Sequence, residues 1–148
     1  MALPPLTEAG ELRPGVHSAR LSEVVDRFGV GSAQRQAVAL RLARIHQIAQ
    51  ASGHLARFVV FGSFVTAKRD PADVDVFLLM EDTFDASRLT GEARFLFDHP
   101  AAQARFGASV FWLRRLAAWE GEVATVGHWQ VKRGGSLRGI IEIVSEGS

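Results

Sequence analysis

The tightest constraint on the fold lies mid-chain. A run rich in Phe and Val, Arg57 to Phe61, stops at Gly62-Ser63; nine residues later the sequence resumes as Asp73-Val74-Asp75-Val76-Phe77-Leu78-Leu79-Met80. Short apolar runs of this composition, bounded by turn chemistry, predict two buried strands. Side chains at i and i+2 of a strand share a face, so Asp73 and Asp75 present two carboxylates together while Val74 and Val76 pack on the other side. Two aligned carboxylates repel unless something positive sits between them. Mg²⁺ takes hard oxygen ligands and is commonly held by one or two carboxylates together with substrate phosphates. Gly62 lets the backbone approach a phosphate, and a turn or two of helix over Phe64 to Lys68, entered at Ser63, would aim N–H groups and a hydroxyl at it. Asp70-Pro71-Ala72 has the turn chemistry to re-enter the sheet.

Around this unit the chain alternates. Residues 1–20 hold Pro4, Pro5, Pro14, Gly10 and Gly15 without sustained periodicity, and read as an extended arm before a single domain over 21–148. Ser22 suits the N-cap of a helix to Phe28, and Ser32 that of a longer one in which Val38, Leu42, Ile45 and Ala49 share a face, with Gly53 as its stop. Arg35, Arg41 and Arg44 fall off that face and read as solvated, with a phosphate-facing role open to one of them. Asp85 to Phe97, Ala101 to Phe106 and Leu116 to Glu122 read as helical, and Ser109 to Leu113 as a strand. His128 to Lys132 and Leu137 to Val144 flank Arg133-Gly134-Gly135-Ser136 as a β-hairpin. The expected class is α+β (α/β): a mixed sheet with helices packed on it and a C-terminal β-hairpin.

Composition narrows the chemistry. The chain has 148 residues and no cysteine, which removes disulfides, thiolate ligands and thiol catalysis together. Lys and Arg number 17 against 16 Asp and Glu, so net charge supplies no general attraction to nucleic acid or an anionic membrane. No stretch approaches the roughly 20 apolar residues of a membrane span, and the N-terminus lacks the pattern of a secretory signal, which points to the cytoplasm. His17, His46, His54, His99 and His128 have no zinc-site spacing and read as surface or locally bonded. Trp112, Trp119 and Trp129 suit stacking on a base, but core packing is the plainer reading.

The order and spacing of Gly62-Ser63 and Asp73-Val74-Asp75 resemble the nucleotidyltransferase superfamily that shares the DNA polymerase β catalytic fold. Arg13-Pro14-Gly15-Val16-His17, the run Gly62 to Lys68, Arg133-Gly134-Gly135 and Arg138-Gly139-Ile140 look like an uncharacterised bacterial family of nucleotidyltransferase-like proteins. The resemblance implies a nucleotidyltransferase-like mixed sheet in which Asp73 and Asp75 ligate Mg²⁺ and serve catalysis, while Gly62 and Ser63 contact the phosphates of a nucleoside triphosphate, ATP foremost. A hydroxyl would attack the α-phosphate and pyrophosphate would leave. Small members of the superfamily include antitoxins that nucleotidylate a partner toxin, so a protein acceptor is implied too. The chain has no tyrosine, so self-modification is limited to Ser or Thr.

This sequence departs from the superfamily pattern at Ala67, where a glycine is frequent, and at Ser109, where active members usually carry a third carboxylate. Glu142 and Asp98 are the residues that would have to replace it. Two readings therefore stand: a Mg²⁺-dependent transferase, or a non-catalytic member that binds a nucleotide or a partner.

Overall fold

The computed structural model describes residues 3–144. The chain runs β1 (Gly15–Arg20), α1 (Leu21–Phe28), α2 (Ala33–Ala51), β2 (Leu55–Phe61), β3 (Val74–Met80), α3 (Ala93–Leu96), α4 (His99–Phe106), β4 (Ala108–Arg114), α5 (Glu122–Gly127) and β5 (Gly139–Val144), with short 3₁₀ turns between them. This is a mixed α+β architecture, as expected. The five strands form one sheet in the order β1-β5-β2-β3-β4. β2 runs antiparallel to β3 and β5, whereas β1 pairs with β5, and β3 with β4, in parallel.

Local chemistry accounts for the longest helix. Ser32 Oγ accepts the Arg35 backbone N–H at 3.1 Å, which satisfies one of the free donors at the start of α2. Val38, Leu42, Ile45 and Ala49 are all buried, and Gly53, with φ of 75°, follows the end of the helix. α1 begins at Leu21, one residue before Ser22, because Glu23 accepts the Arg20 backbone N–H at 3.1 Å.

Alternation divides the sheet between two faces. Val60, Val74, Val76, Leu78, Val110 and Ile141 join α1, α2 and α4 in the larger core. Val59, Phe61, Phe77, Leu79 and Ile140 point the other way, where Val126 of α5 and Trp129 cover only part of them. Asp75, between Val74 and Val76, is on this second, more open face.

Several expectations are corrected. The extended arm is largely part of the domain: β1 is an edge strand, Leu12 is buried, and its carbonyl accepts the Gly139 N–H at 2.9 Å. A strand that pairs through a distant segment leaves little local trace when three prolines and two glycines surround it. Residues 1, 2 and 145–148 of the expected arm and domain lie outside the described residues.

The hairpin shrinks to a single antiparallel bridge between Val131 and Leu137. His128–Gln130 forms a 3₁₀ turn instead of a strand, while β5 is inserted between β1 and β2. Ile140, Ile141 and Ile143 are all buried, so β5 has the both-sided burial of an interior strand, which a solvent-facing hairpin would not provide. Over 85–97, Thr90-Gly91 interrupts helix formation, leaving a 3₁₀ turn at Ala86–Arg88 and the single turn of α3. The helix expected over 116–122 is replaced by a 3₁₀ turn at Arg115–Ala117 and by α5 further on. Among the described residues, no helix is long and apolar enough to cross a membrane.

Candidate functional site

The turn after β2 and the start of β3 form one packed unit. Gly62 has φ of 83°, a left-handed conformation that disfavours any side chain, and a Cβ built there would collide with Asp75 Oδ2. Phe61 lies opposite Asp75 in the antiparallel register, which seats the Asp75 carboxylate against the bare Gly62 backbone. Glycine and aspartate are therefore steric partners across the ladder. Asp73, expected within the strand on the face of Asp75, sits instead in the bend just before β3, still close enough to raise the Asp75 pKa by charge repulsion.

Ser63 opens a single 3₁₀ turn, Ser63–Val65, rather than the expected turn or two of α-helix. A turn this short carries little macrodipole, so the case for an anion rests on the glycine backbone and the Ser63 hydroxyl. That hydroxyl makes no hydrogen bond among the described residues.

The loop between the two strands is held from beneath by α2. Arg35, expected in solvent, is buried: it donates to the carbonyls of Phe28 at 3.0 Å, Phe64 at 2.9 Å and Thr66 at 2.6 Å, and also to that of Lys68. Burial draws its pKa below the usual arginine range, and the Asp70 charge opposes that shift. Gln34 donates to the carbonyls of Pro71 at 2.9 Å and Ala72 at 3.3 Å, closing the tether just before Asp73. These side chains spend their donors on the loop backbone, so Arg35 positions the turn instead of facing a phosphate.

Ser109 is in register with Asp75 on the adjacent parallel strand, so the two share a face. Gln103 Nε2 donates to Ser109 Oγ at 2.8 Å, which leaves the single Ser109 O–H free to turn toward the neighbouring Asp75 carboxylate and lower its pKa. A neutral relay from α4 through β4 therefore occupies the place beside Asp75. Neither alternative acid is available there. Asp98 Oδ1 caps α4 through the Ala101 N–H at 3.2 Å. Glu142 is level with Val59, two strands and one repeat away from Asp75, and pairs with Arg57 at 3.6 Å.

The balance of charge at Asp75 follows from these neighbours. Partial burial, then the Asp73 charge, push its pKa up to about 6, while the Ser109 hydrogen bond and the Arg138 charge oppose the rise. Arg138, which the sequence marks only as part of the run Arg138-Gly139-Ile140, also acts on this carboxylate. Its guanidinium lies over the Phe61 ring at 5.3 Å, and its buried Nε–H has no acceptor among the described residues. No spacing rule flags it, because it reaches the site through the interior placement of β5.

Two carboxylates near enough to repel, one of them held partly desolvated, are oxygen donors of the kind a hard divalent cation takes. Among the described residues no group of three or more His, Asp and Glu stands together, so remaining ligands would come from phosphate and water.

Beyond Asp75 the same face becomes aromatic. Trp129 packs on Phe61 at 4.8 Å, Phe77 at 5.2 Å and Phe111 at 5.0 Å, and Phe77, Phe111 and Trp129 border a cavity of about 470 Å³. Trp112 packs as expected, donating to the Phe97 carbonyl at 2.9 Å, whereas Trp119 at the cavity rim is 92% exposed. Three of the histidines are locally bonded: His17 Nε2 meets the Arg13 carbonyl at 2.8 Å, His54 Nδ1 the Thr83 hydroxyl at 2.9 Å and His99 Nδ1 the Val110 carbonyl at 3.2 Å.

Compared with known proteins, residues 4–144 match one family model, described as a family of unknown function (DUF6932). No curated protein and no solved structure matches the chain.

Proposed function

The chain belongs to the family DUF6932, whose description assigns no chemistry, and on the strength of its own site we propose that it is a nucleotidyltransferase-type protein that binds a Mg²⁺-nucleoside triphosphate on the open face of its sheet. The observation that carries this reading is the Asp75 carboxylate seated against Gly62 with Asp73 beside it. Asp73 and Asp75 hold Mg²⁺, the backbone at Gly62 and the Ser63 hydroxyl receive phosphate oxygens, and the Arg138 guanidinium adds positive charge at the same end of the sheet. The bound cation supplies charge neutralisation and orientation of the phosphates. In the reaction an acceptor hydroxyl oxygen bonds to the α-phosphorus, the bond to pyrophosphate breaks, and the hydroxyl proton passes to a base. The acceptor is a hydroxyl on a partner protein, a toxin in the antitoxin case, and the setting is cytoplasmic.

A second reading is favoured by the Gln103-Ser109-Asp75 relay. It puts a neutral hydroxyl where the resemblance calls for a third carboxylate, and general-base assistance is worth about 10² to 10⁴ in rate. On that reading the protein binds nucleotide without efficient transfer and acts by occupying its partner. Titration with ATP, with and without Mg²⁺, tests the site that both readings share, and binding unaffected by Mg²⁺ or by Asp73→Asn and Asp75→Asn would sink it. Labelled-nucleotide transfer in cell lysate separates the two. Robust wild-type transfer supports the enzyme, whereas transfer that emerges only in Ser109→Asp supports the binding protein.

A further inference from the structure

We infer that the aromatic cavity beside the carboxylates is a stacking pocket for the purine base of the bound nucleotide. The inference rests on the reading of Asp73 and Asp75 as a Mg²⁺-phosphate site and adds to it the part of the ligand that the carboxylates do not touch.

Register places the cavity. Phe77 and Phe111 follow Asp75 and Ser109 by two residues on the parallel strands β3 and β4, so they point to the same face, one pleat further along. That repeat is about 6.6 Å, which places an aromatic floor within a nucleoside's reach of a phosphate held at Asp75. The floor continues into Trp129, whose ring is tilted 30° from Phe77 and 36° from Phe111.

The cavity volume of about 470 Å³ falls within the roughly 300–1,000 Å³ usual for small-ligand sites. Glu120, Thr125 and His128 also line it and offer the few polar groups that the edge of a base requires. Trp119 stands at the rim with 92% of its surface exposed, next to Phe111 at 37%. A large ring left in water beside an apolar cavity gains by closing on a flat ligand, and stacking tolerates any base because each has a π face. A purine offers the larger face.

Inorganic tripolyphosphate separates this pocket from the phosphate site beneath it. With Mg²⁺ present, ATP and GTP should bind more tightly than tripolyphosphate by roughly 5- to 100-fold, the usual worth of stacking one base, and more tightly than CTP. Trp119→Ala should remove most of that advantage while leaving tripolyphosphate binding unchanged. Its exposure makes it a safe variant for folding, and Phe111→Ala provides a second. Equal affinity for ATP, CTP and tripolyphosphate, or an advantage that survives both variants, would overturn the pocket while leaving the carboxylate site standing. If neither ATP nor tripolyphosphate binds, the proposed function fails along with it.

Discussion

Asp75 is held partly buried and near a second carboxylate, both of which raise the free energy of its charged form. A carboxyl whose folded pKa of about 6 lies above its ordinary 3.8 takes up protons on folding. Its contribution to stability therefore falls as pH rises from about 4 to about 6 and stays low above that, by the linkage between protonation and folding. Allowing for its partial exposure, the penalty at neutral pH is on the order of 1–3 kcal/mol. Asp75→Asn should raise the Tm of the metal-free protein at pH 7.5, flatten that window, and abolish stabilisation by Mg²⁺, all visible in one series of thermal melts. A variant less stable than wild type without metal would show that the charge is satisfied by the protein itself. Gly62→Ala should cost about 1–3 kcal/mol in urea unfolding, from the left-handed backbone and the clash with Asp75 together. Combining it with Asp75→Gly should recover the clash but not the backbone strain, so the two changes will be non-additive.

Among the elements, α2 does more than cover the sheet. Its apolar face was readable from the spacing of Val38, Leu42, Ile45 and Ala49, because periodicity is a property of the helix alone. The role of Arg35 was not, since the four carbonyls it satisfies belong to segments as far away as Lys68. Arg35→Met would strip the donor from the buried carbonyls of Phe28 and Phe64 and the half-buried ones of Thr66 and Lys68, and a loss of roughly 3–5 kcal/mol is expected, measured as a shift in the urea midpoint. Arg35→Lys, with three donors on one atom instead of a planar fork, should recover only part of it. An unfolding curve unchanged in Arg35→Met would mean the loop does not depend on this anchor. The strand pair β2 and β3 was legible for the same reason as α2, each being a short apolar run with its own boundaries. β1 was not, because its pairing with β5 joins residues more than 120 positions apart.

For the whole molecule, the N-terminal segment is the decisive test of architecture. As a free arm, residues 1–20 would be dispensable; as the segment that buries Leu12 and Ala19 and pairs the edge of β5, they are not. Deletion through Arg20 should broaden or abolish the cooperative thermal transition, and a truncated protein melting like the full chain would return the segment to an arm. By itself the sequence determined the strands β2 and β3 and the helix α2, since these depend on patterns within a few residues. Only the tertiary structure decided that Ser109 lies in register with Asp75, that Arg138 and not Arg35 lends its charge to Asp75, and that the aromatic cavity continues the face of Asp75. Those relations depend on which strands become neighbours in the sheet, and strand order is set by the burial of the whole core, not by any one segment.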